Sequence, residues 1–162
     1  NRRIHSNKVF KGKAARGKTS TGWFYGLKLF LVINAFGEIM NAFLTMANVA
    51  DNHLVTMIKL FSKLKGWAFA DKGFINQKAV EELLSKGLHL ITGIRRNMKN
   101  KLVLMEQKIL LQKRGVIESV NDILKTVCDI EHTRHRSPIN ALVNLYAGLC
   151  SYTFLDRLPS IF

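Results

Sequence analysis

Residues 27–34 read LKLFLVIN, with Leu27, Leu29, Leu31 and Ile33 alternating with Lys28, Phe30, Val32 and Asn34. A period of two gives a strand one wholly apolar face and one mixed face. Asn34-Ala35-Phe36-Gly37 supplies turn residues, and residues 38–45 return as a second strand, so the stretch reads as a hairpin. Two strands alone are marginal in water, so the hairpin demands a third strand and cover for its apolar face. Candidates for the cover come next. Asp51 is placed to cap a helix over residues 52–64, with Leu54, Ile58 and Phe61 on one face and Gly66 beyond its end. Residues 67–70 form a short apolar run ending in Asp71. Asn76 can then cap a helix whose buried stripe is Val80, Leu83 and Leu84, with Ile75 and Val80 spaced as a hydrophobic staple and Gly87 as its stop. Residues 88–92 read as another strand. Hairpin, helix, strand, helix, strand predicts an α/β chain with a mixed sheet and helical crossovers.

In residues 101–111 the spacing of Leu102, Met105, Ile109 and Leu110 favours helix over strand. Residues 111–125, LQKRGVIESVNDILK, read as one helix, with Gly115 a candidate for its true start. Arg114 and Glu118 stand one turn apart, and Lys125 follows about 20° short of full registry, so one carboxylate is flanked by two cations. Val116, Ile117, Val120, Ile123, Leu124 and Val127 cover most of the rest, which predicts a buried helix where an ionised Glu needs a partner or a metal. A solvated face with ordinary charge pairing is the plainer alternative. Ser137 and Pro138 begin a last helix through about residue 154, apolar most of the way round and therefore buried or packed on a partner.

Twenty-five Lys and Arg against eleven Asp and Glu give a formal charge of +14, and 162 residues, 48% of them apolar, suffice for one domain over 1–162. Such a balance favours a polyanionic partner, nucleic acid before an anionic membrane. Residues 1–28 carry Arg2, Arg3, Lys8, Lys11, Lys13, Arg16, Lys18 and Lys28 with no acid, and read as a basic loop laid along phosphates. Arg95, Arg96, Lys99 and Lys101 form a second candidate phosphate contact, with a solvated loop the alternative, and Arg134 and Arg136 lie in EHTRHRSP, a polar or DNA-facing turn. Other classes fit poorly. GKAARGKT resembles a phosphate-binding loop but lacks the preceding apolar strand and following helix. Cys128 and Cys150 match no metal-binding or redox spacing, and His132, His135 and Glu131 fall short of a zinc set. No stretch reaches the ~18 uninterrupted apolar residues of a spanning helix.

A carboxylate at the end of a buried strand sits on the rim of a sheet, where ligands bind in α/β folds, and Asp71 has that place. Paired with Glu118, 47 residues later, it suggests phosphoryl transfer assisted by Mg²⁺ or Mn²⁺, ions that suit hard oxygen donors. Arg114 and Lys125 would neutralise phosphates and keep Glu118 ionised.

The segments FKGKAARGKTSTGWFYGLKLFLVINAFGEI, ADKGF, KRGVIESVNDILK and IEHTRHRSPINALVNLYAGLCSYTF occur in the order found in insertion-sequence transposases of the DDE class. In these the chain resembles the catalytic domain of the IS982-type, related to the IS4 group, over nearly its whole length. The resemblance implies a ribonuclease-H-like fold, a mixed sheet with flanking helices, and three acids holding metals that cut donor DNA and join its 3′ ends to a target. It also implies a bacterial cytoplasmic, nucleoid-associated setting, transposon ends and target DNA as partners, and action as a homo-oligomer. Asp71 corresponds to the second acid and Glu118 to the third. Arg114, Glu118 and Lys125 match a tyrosine-arginine-glutamate-lysine signature, with Leu111 in the tyrosine's place. The first acid belongs to a first strand lying before the segment that resembles NRRIHSNKVFKG, and Asp51 does not replace it. The expectation is a truncated, catalytically weak or inactive transposase. A DNA-binding remnant without chemistry and a ribonuclease-H-like nuclease are the alternatives.

Overall fold

The alternating stretch becomes the longer part of β2 (Gly22–Ile33), which pairs antiparallel with β3 (Ile39–Met46) from Leu27↔Met46 to Ile33↔Ile39. The computed structural model describes residues 7–19, 22–94, 98, 104–131 and 135–162. The third strand that the hairpin needs is β1 (Ala15–Thr19), paired with the first part of β2 from Ala15↔Gly26 to Thr19↔Gly22. It arises inside the segment expected to be a basic loop, which is a correction. Gly17 explains it: a Cβ there would come within 2.7 Å of the Ala47 carbonyl oxygen, so glycine lets the strand lie close against the chain leaving β3.

Helix α1 (Leu54–Phe61) follows, with His53 at its N-cap and no side-chain cap. Asp51, expected to cap it, is held instead by the Lys28 ammonium at 3.1 Å. Then come β4 (Gly66–Ala70), a single 3-10 turn (Lys72–Phe74), α2 (Gln77–Ser85) and β5 (Leu88–Thr92). Asn76 does cap α2, its side-chain oxygen accepting from the Ala79 amide at 3.2 Å, and Gly87 turns the chain at φ +87°. Leu84, expected in the buried stripe, is 49% exposed, because Ala79 and Leu83 hold the face turned inward. Strands β4 and β5 run parallel, joined by the α2 crossover. Among the described residues the strands form two sheets, β1-β2-β3 and β4-β5, rather than a single mixed one.

The reading frame of β2 divides the interior. Phe30 and Val32 join Met57, Leu60, Phe61, Ala79, Leu83, Leu88 and Leu90 in one core. Leu31 and Ile33 pack against Val120, Leu124 and Tyr152 in another, contributed by α4 (Val116–Thr126) and α5 (Pro138–Thr153). Before α4 runs α3 (Met105–Lys113), so the helix expected over residues 111–125 is divided at Arg114 and Gly115. Both residues keep right-handed helical angles, and the Glu118 amide donates to the Gly115 carbonyl at 2.9 Å, a tightened turn between the two helices. Helix α5 begins at Pro138 as expected, but only the Gly148 and Tyr152 side is buried. Ile139, Val143 and Tyr146 are exposed.

The two cores are fastened at the β2–β3 turn. The buried Tyr152 hydroxyl donates to the Gly37 carbonyl at 2.8 Å, and the Ile161 amide donates to the Ala35 carbonyl at 3.0 Å. Burial pushes the Tyr152 hydroxyl above its ordinary range, with the Cys128 charge adding to the effect, and burial also raises the Cys128 thiol. A raised folded pKa means the unfolded chain ionises first, so stability is full below the unfolded values and falls as pH climbs past about 9. Tyr152→Phe leaves the Gly37 oxygen unpaired in a buried place. It is expected to cost about 1–3 kcal/mol in denaturant unfolding at pH 7 and to flatten the alkaline loss above about pH 9.

Candidate active site

Strand β4 delivers Asp71 at its C-terminal end, where the chain leaves the sheet and enters the 3-10 turn. Its carboxylate does not cap that turn. It is ion-paired instead with Arg114, with Nη2 3.3 Å from Oδ1. The second carboxylate, Glu118, stands in the first turn of α4, where the helix dipole favours a negative charge. Asp71, Arg114 and Glu118 line one cleft of about 390 Å³ together with Lys72, Gly93, Lys108, Leu111, Gln112 and Gly115. Two acids 47 residues apart in sequence therefore open onto one space, with cations among them.

The charges pair differently from the sequence expectation. Arg114 turns to Asp71, and Lys125 to Glu131 at 3.4 Å, so among the described residues the Glu118 carboxylate has no ion pair. The helix is also less buried there than expected, with Glu118 itself exposed and only Val120 and Leu124 fully inside. The Arg114–Asp71 pair is open to water, at 38% and 59% side-chain exposure. It contributes about 1 kcal/mol or less, so its main effect is to orient the Asp71 carboxylate.

Lys72 and Lys108 are the cleft cations that sequence reasoning missed. Lys108, Leu111, Gln112 and Gly115 share the i, i+3, i+4, i+7 spacing of one helix face, but α3 carries no strong apolar stripe that would have oriented it in advance. Among the described residues no three His, Cys, Asp or Glu gather closely enough to hold a metal by themselves. Asp51 lies beside the turn after Asp71, its Oδ2 3.1 Å from where a Gly73 Cβ would be, but Lys28 holds its other oxygen and it does not line the cleft.

Of the residues expected to meet nucleic acid, Lys8, Lys11, Lys13, Arg16, Lys18 and Arg136 are exposed. Arg2, Arg3, Arg95, Arg96, Lys99 and Arg134, with Lys101, lie outside the described residues. No helix is long and apolar enough to cross a membrane among the described residues.

A family model described as a transposase DDE domain matches residues 1–138. No curated protein and no solved structure matches the chain.

An exposed ion pair that serves a ligand more than the fold should be cheap to remove. Asp71→Asn and Arg114→Gln are each expected to change unfolding free energy by about 1 kcal/mol or less. A loss of several kcal/mol in denaturant titration would instead mark the pair as structural.

Proposed function

The chain belongs to the transposase DDE domain family, and on that footing we propose that it is the catalytic domain of an insertion-sequence transposase, cutting DNA and joining 3′ ends with a divalent metal. The observation that carries the reading is the meeting of Asp71 and Glu118 in one cleft with Arg114, Lys72 and Lys108. The donor set fits Mg²⁺ or Mn²⁺, since such ions are held by one or two carboxylates together with substrate phosphates. Bound by Asp71 and Glu118, the metal would supply activation of water or a 3′-hydroxyl and stabilisation of the leaving oxygen.

The chain's own side chains do the rest. Arg114 orients Asp71 and offers its remaining N–H groups to a phosphate, while Lys72 and Lys108 bring further positive charge to the cleft. Lys125 is not among the residues that line the cleft, but its exposed pair with Glu131 costs little to exchange for a DNA phosphate beside it. Lys8, Lys11, Lys13, Arg16, Lys18 and Arg136 are exposed for the DNA backbone, and Arg2, Arg3, Arg95, Arg96, Lys99 and Arg134 belong to the same proposed set.

The ribonuclease-H-like fold, the IS982-type, a homo-oligomeric state and a third acid on a further strand are parts of this proposal. The hairpin followed by helix, strand, helix, strand supports the fold. Two carboxylates line the cleft among the described residues; impaired catalysis belongs to the same proposal, and a DNA-binding protein without chemistry is the second reading.

Duplex binding is expected to weaken steeply as salt rises from about 50 to 200 mM. In a supercoiled-plasmid nicking assay with Mg²⁺ or Mn²⁺, weak turnover that disappears in Asp71→Ala and Glu118→Gln supports the transposase reading. Binding that survives both substitutions with no nicking supports the second reading. Robust nicking abolished by Asp71→Ala would overturn the impairment.

A further inference from the structure

Strands β1 and β2 form a ribbon with two unlike faces. Cross-strand partners share a face, so Arg16 with Tyr25 and Lys18 with Trp23 stand together on one side. Gly17 and Phe24 occupy the other, and Gly17 is seated against Ala47. The outer face is charged and aromatic at once. Arg16 and Lys18 are exposed, Trp23 is 51% exposed, and the Arg16 Cζ and Lys18 Nζ lie 4.4 and 5.6 Å from the indole centroid. The Tyr25 hydroxyl donates to the Phe10 carbonyl at 3.1 Å, joining the ribbon to the turn that carries Lys11 and Lys13. No acidic residue precedes Glu38 in the sequence.

Phosphates alone would be met by the cations. Within a duplex the base faces are covered by their neighbours, so an indole has no stacking surface there. An unpaired base offers one, and an aromatic ring among cations suits a single strand, its base on the ring and its phosphates on the charges. We propose that this face is a single-stranded DNA site, in which Trp23 stacks on an unpaired base and Arg16 and Lys18 hold the adjoining phosphates. Along β2, Trp23 stands roughly 17 Å from Lys28, which pairs with Asp51 beside the turn that follows Asp71. The strand that carries the site thus also reaches the turn after Asp71, and in taking its ligand to be DNA opened near the cleft the proposal rests on the transposase reading.

The chain has two tryptophans, so Trp67→Phe leaves Trp23 as sole reporter. Without metal, a short oligo-dT is expected to quench its fluorescence more strongly than a blunt duplex of the same length, whose phosphates reach Arg16 and Lys18 without a base on the ring. Trp23→Ala is expected to weaken oligo-dT binding about tenfold with duplex binding kept within about twofold, and Trp23→Phe to restore part of the loss. Equal weakening of both ligands, no weakening of oligo-dT, absence of quenching in the Trp67→Phe protein, or tighter binding of oligo-rU than of oligo-dT would each overturn the proposal. Because the quenching arm uses the native Trp23, it decides the matter even if Trp23→Ala unfolds. Duplex binding with none of the single-strand effects overturns this site alone. Failure to bind either DNA overturns the transposase reading with it.

Discussion

The alternation of β2 is the constraint on which both halves of the molecule depend. Phe30 faces α1 and α2, and its neighbour Leu31 faces α4 and α5. A one-residue slip would exchange the two rows, sending the side chains of each core to the other. The bulge between Val32 and Ile33 lies at the turn end of the pairing, so the register of Leu27–Val32 with β3 stays regular, and beyond it Ile33 and Ile39 still pack on the second core.

The cleft lies between elements set by different parts of this arrangement. Asp71 is carried by a strand whose Ala68 and Ala70 pack on the first core, and Glu118 by a helix whose Val120 and Leu124 make the second. Neither acid is buried, so the desolvation cost that burdens interior carboxylates does not arise. Positive charge at the rim is supplied by side chains with water around them, which leaves them free to exchange partners when a polyanion arrives. Rigidity comes from the apolar layers below, and adaptability from the exposed ion pairs above.

Local signals were the legible ones. The alternation of Leu27 to Ile33, the Asn76 cap, the Gly87 stop and Pro138 at the head of α5 each act within a few residues, and the structure keeps all of them. Strand β1 was hidden because its position depends on Gly17 meeting Ala47, thirty positions away. Asp51 had the right place for a cap, but Lys28, twenty-three residues upstream, takes its carboxylate. The cleft divides in the same way. Helical spacing put Arg114 next to Glu118, and the family pattern named Asp71, but no helical rule could show that Arg114 would reach across to Asp71 while Lys125 turned to Glu131.

The Tyr152–Gly37 hydrogen bond spans 115 residues and so has a consequence for the order of assembly. All members of the first core lie between Phe30 and Leu90, so a chain leaving the ribosome can close that core before its last helices exist. The second core needs Tyr152, and its contacts carry the larger loop-closure entropy. Asp71 thus belongs to the core that can close first, and Glu118 to the one that waits for Tyr152. Until α5 has been made, the helix that carries Glu118 lacks the Tyr152 side chain it packs on, so the two walls of the cleft take shape at different times.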